Sequence, residues 1–261
     1  MVIQATIDML AAMKMTAMAA ELSNQLQNPS FNKLGFEDRL GLLVTAEWNR
    51  RQTNAVNRLI HNAHFAAPSA AVEEIAYYKD RKLDKAQMLR FSTCKFVEEG
   101  HHIILKGASG NGKTYIACAL GNAACRRFKK VRYVRMPELL DELSIARSGG
   151  ELKKCLAAYK KMDLLILDEW LIRPLSPQES YDLLEIVEAR CQRSMIFCTQ
   201  YQSEGWYTRI DPNPNSDSPV SEAIMDRIIH NAYEILVEGR ISMRERNGLR
   251  PSSPKDDEGD S

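Results

Sequence analysis

The segment Gly107-Ala-Ser-Gly-Asn-Gly-Lys-Thr114 constrains what this chain can fold into more than any other. It follows the apolar run His102–Leu105, precedes a helical stretch near Lys113–Phe128, and fits the pattern G-x-x-x-x-G-K-[ST]. Glycines let a backbone wrap closely around an anion, and successive amide N–H groups then point inward as a nest. The helix that follows adds the positive end of its dipole. In such a loop Gly107, Ala108, Ser109, Gly110, Asn111 and Gly112 supply the cradle. Lys113 reaches the outer phosphates of a nucleotide, and the Thr114 hydroxyl is placed to hold Mg²⁺. A strand–loop–helix context of this kind separates the motif from a chance glycine turn.

The rest of the chain repeats the strand–helix alternation. Strand candidates are His102–Leu105, Val131–Arg135, Leu164–Leu167, Met195–Thr199 and Tyr233–Val237. Helical patterning lies between them, near Pro137–Arg147, Glu151–Lys160, Pro177–Arg190 and Ser221–Asn231. The expected fold class is therefore α/β, with a parallel five-stranded sheet flanked by helices. Residues 1–90 read as a small all-helical N-terminal domain, with helices over Arg39–Leu59, Ala70–Tyr78 and Lys85–Phe91. Residues 91–250 read as the nucleotide-binding domain, and 251–261 as an acidic, polar tail. Asp211–Pro219 is a turn-rich loop.

Composition excludes more than it assigns. Lys plus Arg (35) nearly cancels Asp plus Glu (34) in 261 residues, so a nucleic-acid reading must rest on how charge is distributed. Six cysteines (Cys94, Cys118, Cys125, Cys155, Cys191 and Cys198) form no C-x-x-C pair. They read as buried, small apolar residues of a reducing compartment, and the chain as cytoplasmic. Met1–Leu26 is apolar, but Asp8 and Lys14 interrupt it and no basic residue precedes it; an amphipathic helix fits better than a signal peptide. No other run approaches a membrane span.

A second acidic site follows at Leu164-Leu-Ile-Leu-Asp168-Glu169, four apolar residues ending in two carboxylates. In a parallel sheet such a strand ends at the ligand crevice. Asp168 is then a candidate to orient Mg²⁺, and Glu169 to polarise the water that attacks a γ-phosphate. An activated water belongs to hydrolysis, which a small-molecule kinase must avoid. The next strand ends in Cys198-Thr199-Gln200, where a polar side chain, Thr199 first, is placed to touch the γ-phosphate or its water.

The run from Ile104 to Arg246 resembles the IstB family of insertion-sequence transposition helpers, which are AAA+ ATPases of the initiator group close to the DnaC helicase loaders. GASGNGKT, LLILDEW (Leu164–Trp170), RPLSPQESYDLLEIVEARCQRSMIFCTQ (Arg173–Gln200) and EAIMDRIIHNAYEILVEGRISMR (Glu222–Arg244) carry the likeness. The resemblance implies an arginine finger at Arg227, acting on a neighbouring subunit's ATP, and a second sensor at Arg244, with Arg240 as a substitute. A planar, permanently charged guanidinium suits both tasks. The chain departs from the family at Asp168-Glu169-Trp170-Leu171, where many members carry two aspartates and a glycine-like turn, and in the length of Asp211–Pro219.

Local charge adds a DNA question. Gly121–Met162 holds eleven Lys or Arg against four Asp or Glu. Lys153, Lys154, Lys160 and Lys161 recur two helical turns apart, as a phosphate-neutralising face or as an ordinary solvated one. By resemblance this region lies against DNA. The implied function is an Mg²⁺-dependent ATPase that oligomerises on duplex DNA and recruits or activates a transposase, hydrolysis driving disassembly. A replicative helicase loader is the alternative, and a soluble phosphotransferase a remoter one.

Overall fold

The structure is a computed structural model describing residues 2–212, 219–246 and 248. The polar tail over 251–261 and positions 213–218 of the turn-rich loop lie outside the described residues. The chain divides into two compact units, Met1–Arg58 and Leu59–Ser261.

The first unit is helical, as expected. Its apolar N-terminus forms two helices, not one: α1 (Val2–Ala12) and α2 (Thr16–Gln27). The chain breaks at Lys14, which adopts a left-handed conformation (φ 61°). Long-range bonds hold that break, which is why helical periodicity did not show it. From α3 (Phe36–Ala63), Glu47 accepts the Ala17 amide at 3.1 Å, and Arg50 donates to the Lys14 carbonyl at 2.7 Å. Hydrogen bonds from Arg50 and Arg51 pull the Glu47 carboxyl down to about 2.

In the second unit, α4 (Lys85–Ser92) and the short α5 (Lys95–Glu98) lead into β1 (His102–Lys106) and α6 (Lys113–Arg126). Then come β2 (Val131–Arg135), α7 (Met136–Ser148), α8 (Leu152–Lys160) and β3 (Leu164–Asp168). After them lie α9 (Pro177–Ala189), β4 (Ser194–Thr199), α10 (Tyr207–Ile210), α11 (Pro219–Ile229), β5 (Ala232–Leu236) and α12 (Met243–Arg246). The five strands form one sheet in the order β2-β3-β4-β1-β5, every pairing parallel, so the expected α/β architecture is present.

Burial on both faces explains the unbroken apolar runs. Ile103, Leu105, Ile166 and Ile196 pack towards α6, and Ile104, Leu165, Leu167 and Phe197 towards α7, α9 and α11. The boundary expected near residue 90 falls inside this second unit. Residues 64–98 join its core through side chains far along the chain: Asn122 on α6 donates to the carbonyls of Pro68 and Ala70. The stretch expected as a helix over Ala70–Tyr78 is instead mostly extended, with one short 3₁₀ turn at Val72–Glu74.

Gly121, in the middle of α6, makes room for that segment. A Cβ there would sit 2.5 Å from Phe65 and 2.9 Å from Ile166. Gly121→Ala is expected to cost about 1–3 kcal/mol by overpacking, despite alanine's better helix propensity. A thermal melt several degrees below wild type checks it, and an unchanged melt would show that Phe65 yields freely.

Candidate nucleotide-binding site

The loop between β1 and α6 is shaped by glycine. Gly107 (φ 153°) leaves the strand so close to β5's exit that a Cβ would lie 2.1 Å from the Val237 carbonyl oxygen. Gly110 and Gly112 take φ 84° and 85°, conformations that side chains other than glycine rarely adopt. The Asn111 side chain donates to Val237 O at 3.1 Å, and the Gly107 amide donates to Thr199 O at 3.2 Å. The loop is thus tied to the ends of β5 and β4.

The side chains expected to hold phosphate and metal converge there. Ser109, Gly110, Gly112, Lys113, Thr114, Asp168, Glu169 and Arg244 line one cavity of about 690 Å³. Gly107, Ala108 and Asn111 face a separate depression on the other side of the loop, together with Arg240. Lys113, 8% exposed, donates its ammonium to the carbonyls of Gly107 (2.7 Å) and Ala108 (2.8 Å). Burial pushes its pKa down, which the nearby Asp168 carboxylate opposes. The same burial and the same Asp168 charge push the Cys198 thiol well up, so it stays neutral in the cavity floor.

Asp168 is a fully engaged acceptor. Its Oδ2 receives the hydroxyls of Thr114 and Tyr133, both at 2.7 Å, and Oδ1 the Glu169 amide at 2.8 Å. Two hard oxygens, Thr114 Oγ1 and Asp168 Oδ2, therefore meet at the mouth of the phosphate loop. That donor chemistry fits Mg²⁺.

Glu169 begins a tight turn in which it and Leu171 both adopt left-handed conformations (φ 54° and 52°). Such residues each cost on the order of 1–3 kcal/mol and persist where surroundings over-determine them. Here the anchor is Trp170, 1% exposed and packed edge-on against Phe197 and Trp206. The turn presents the Glu169 carboxylate to Arg135 at the end of β2, whose Nη2 lies 2.8 Å from both oxygens. Sequence reasoning missed Arg135 and Tyr133, which sit at the C-terminal half of β2 facing β3. Parallel register alone pairs Arg135 with Asp168, and that was the available signal.

Thr199 is placed differently from its expected role. Its hydroxyl donates to Trp170 O and accepts from the Tyr201 amide, it is 1% exposed, and it does not line the cavity. The next residue, Gln200, does. Arg227 on α11 lies outside its own chain's cavity, bound to Ala223 O (2.8 Å) and Glu188 (3.0 Å). Lys153, Lys154, Lys160 and Lys161 all face outward on and just after α8, while Tyr159 between them is buried. Buried Arg190 donates to the carbonyls of Tyr159 and Met162, fixing the end of that helix. Of the six cysteines, Cys94, Cys118, Cys125 and Cys198 are buried, but Cys155 is partly exposed and Cys191 exposed, so burial is not their common property.

A second cavity of about 300 Å³ adjoins the first, sharing Gly112, Tyr115 and Met243 and walled by Ile75, Tyr78 and Ile116. No group of His, Cys, Asp and Glu able to hold a metal ion on its own is present among the described residues, and none of their helices is long and apolar enough to cross a membrane.

Comparison with known proteins agrees with this geometry. Residues 8–250 match the family model of the IstB-like ATP binding protein. A protein of Sinorhizobium fredii named for insertion-sequence ATP binding is 35% identical over 251 residues, 95% of this chain and 98% of its own length. The ATP-binding protein named for the insertion sequence IS1162 of Pseudomonas fluorescens is 34% identical over 204 residues, 78% of this chain and 88% of that one. Among solved structures, the DnaC helicase loader superposes with a TM-score of 0.54 at 19% identity, covering 65% of this chain and 97% of that one, a likeness of fold. With its phosphate loop, paired acids and five-stranded parallel sheet, the chain belongs to the IstB-like family of ATP-binding proteins.

Proposed function

We propose that this protein is an ATP-dependent regulator of insertion-sequence transposition, acting in the cytoplasm. Copies bind ATP with Mg²⁺, assemble on duplex DNA and present it to a transposase; hydrolysis loosens the assembly. The observation that carries the reading is the state of Glu169. It stands beside Asp168 at the phosphate loop, yet Arg135 holds it by both oxygens. A base so engaged favours slow turnover, with ATP as a switch more than as fuel.

The residues divide the work. The loop amides and Lys113 hold phosphate, and Thr114 with Asp168 would hold Mg²⁺. The ion, when bound, offsets charge on the phosphate oxygens. Glu169, released from Arg135, accepts a proton from the attacking water. Gln200 and Arg244 face the same space. Arg227, outside its own cavity, serves a neighbour's nucleotide, so assembly completes the site. The second cavity, walled by Ile75, Tyr78, Ile116 and Met243, suits the flat, apolar base of the nucleotide.

Membership of a family whose named relatives match from about four-fifths to nearly all of the chain favours transposition over helicase loading, since the likeness to the loader is one of fold. Electron microscopy of the protein with duplex DNA tests the proposal. Ordered assemblies are expected with a non-hydrolysable ATP analogue and not without it; their absence in both would overturn it. The lysines of α8 carry a separate expectation. Changing Lys153, Lys154, Lys160 and Lys161 together to Gln should weaken duplex binding and flatten its salt dependence by roughly 0.9 for each phosphate no longer neutralised. Fluorescence anisotropy across salt concentrations reads this, and an unchanged slope would make the face an ordinary solvated one.

A further inference from the structure

Beyond β5 the chain turns back across the phosphate loop as a strap, residues 238–246. It has little structure of its own: α12 is a single turn, too short to persist unaided. Yet it carries Arg244 to the phosphate cavity and Met243 to the wall shared with the second cavity. One backbone bond, from the Met243 amide to Gly110 O at 2.9 Å, ties it directly to the loop.

Its other fixings gather on the segment from Tyr78 to Lys82. Asp80 Oδ2 accepts the Arg240 amide at 2.9 Å and the Arg246 guanidinium at 2.6 Å. Arg246 also lies 4.2 Å over the Tyr78 ring. Lys82 pairs with Glu238 at 2.8 Å, though both are well exposed and such pairs are weak. Asp80 and Arg246 are about one-fifth exposed, a partly desolvated pair with directed geometry. Burial acts to raise the Asp80 pKa, but the Arg240 amide and Arg246 outweigh it and hold the carboxyl below its ordinary value. Next to Asp80, Arg81 is 8% exposed and donates to the Asn111 carbonyl at 2.8 Å, so the same segment also grips the phosphate loop itself.

We propose that Asp80 is a positioning residue of the nucleotide site: by holding Arg246 and the Arg240 amide on one carboxylate oxygen, it seats the strap so that Arg244 faces the phosphates. The role rests on the ATP reading above. Asp80 touches no part of the phosphate cavity and acts through Arg244.

The test is a binding cycle on the full chain with a non-hydrolysable ATP analogue, using Asp80→Asn, Arg246→Gln, Arg244→Ala and the Asp80→Asn/Arg244→Ala double variant. Asp80→Asn and Arg246→Gln break the same ion pair from opposite sides. Each should lower affinity about tenfold with the melting temperature nearly unchanged. The double variant should bind no more weakly than Arg244→Ala alone, because the two residues act as a unit. Hydrogen exchange at the Met243 amide should quicken in Asp80→Asn. Wild-type affinity in Asp80→Asn, fully additive losses, or unaltered Met243 exchange would each overturn the positioning role while leaving ATP binding in place. A wild-type chain that binds no ATP would instead overturn the ATP reading, and this role with it.

Discussion

Lys113→Ala is expected to lower the affinity for ATP by at least about a hundredfold, on the order of 2.7 kcal/mol. The ammonium lies in a loop whose remaining donors are uncharged amides and hydroxyls, and it is nine-tenths buried, where a charge–charge interaction is weakly screened. Truncating one partner of such a pair costs about 2–5 kcal/mol. Lys113 also bonds the carbonyls of Gly107 and Ala108, so the variant's fold is checked by a thermal melt before calorimetric titration with ATP. Unchanged affinity in a folded variant would remove the site.

Glu169→Gln should have the opposite signature. The amide keeps the shape of the side chain and can still meet Arg135, but it cannot take a proton from water. Loss of a general base typically costs about 10²–10⁴ in rate, so hydrolysis should fall by at least about a hundredfold with ATP affinity little changed. If hydrolysis releases the assembly, the variant's DNA complexes should outlast those of wild type. Single-turnover phosphate release and the off-rate of labelled duplex read the two effects. Hydrolysis at the wild-type rate would strip Glu169 of its role.

What the sequence made legible was local. Strand–helix alternation gave the sheet because the apolar runs of β1, β3 and β4 are buried on both faces, and the glycine pattern gave the phosphate loop because its shape depends on few neighbours. The acids at 168 and 169 could be read from the end of an apolar run. Pairings between distant positions stayed hidden. Arg135 is 34 residues from Glu169, and only the parallel register of β2 and β3 brings them together. Asp80 is 166 residues from Arg246. Phe65 joins the second unit by fitting over Gly121, a match that neither residue announces. Thr199 points away from the cavity, and Gln200 into it, for a similar reason: the strained turn at Glu169 to Leu171 brings the Trp170 carbonyl within reach of the Thr199 hydroxyl.

Cys191 follows α9, three positions beyond the Glu188 that holds Arg227. Of the six cysteines it alone is exposed; the others are buried or partly so. A maleimide dye added to the unmodified protein should therefore mark the Arg227 side of each copy. If copies assemble as proposed, proximity between dyes would then report their coming together and parting in real time.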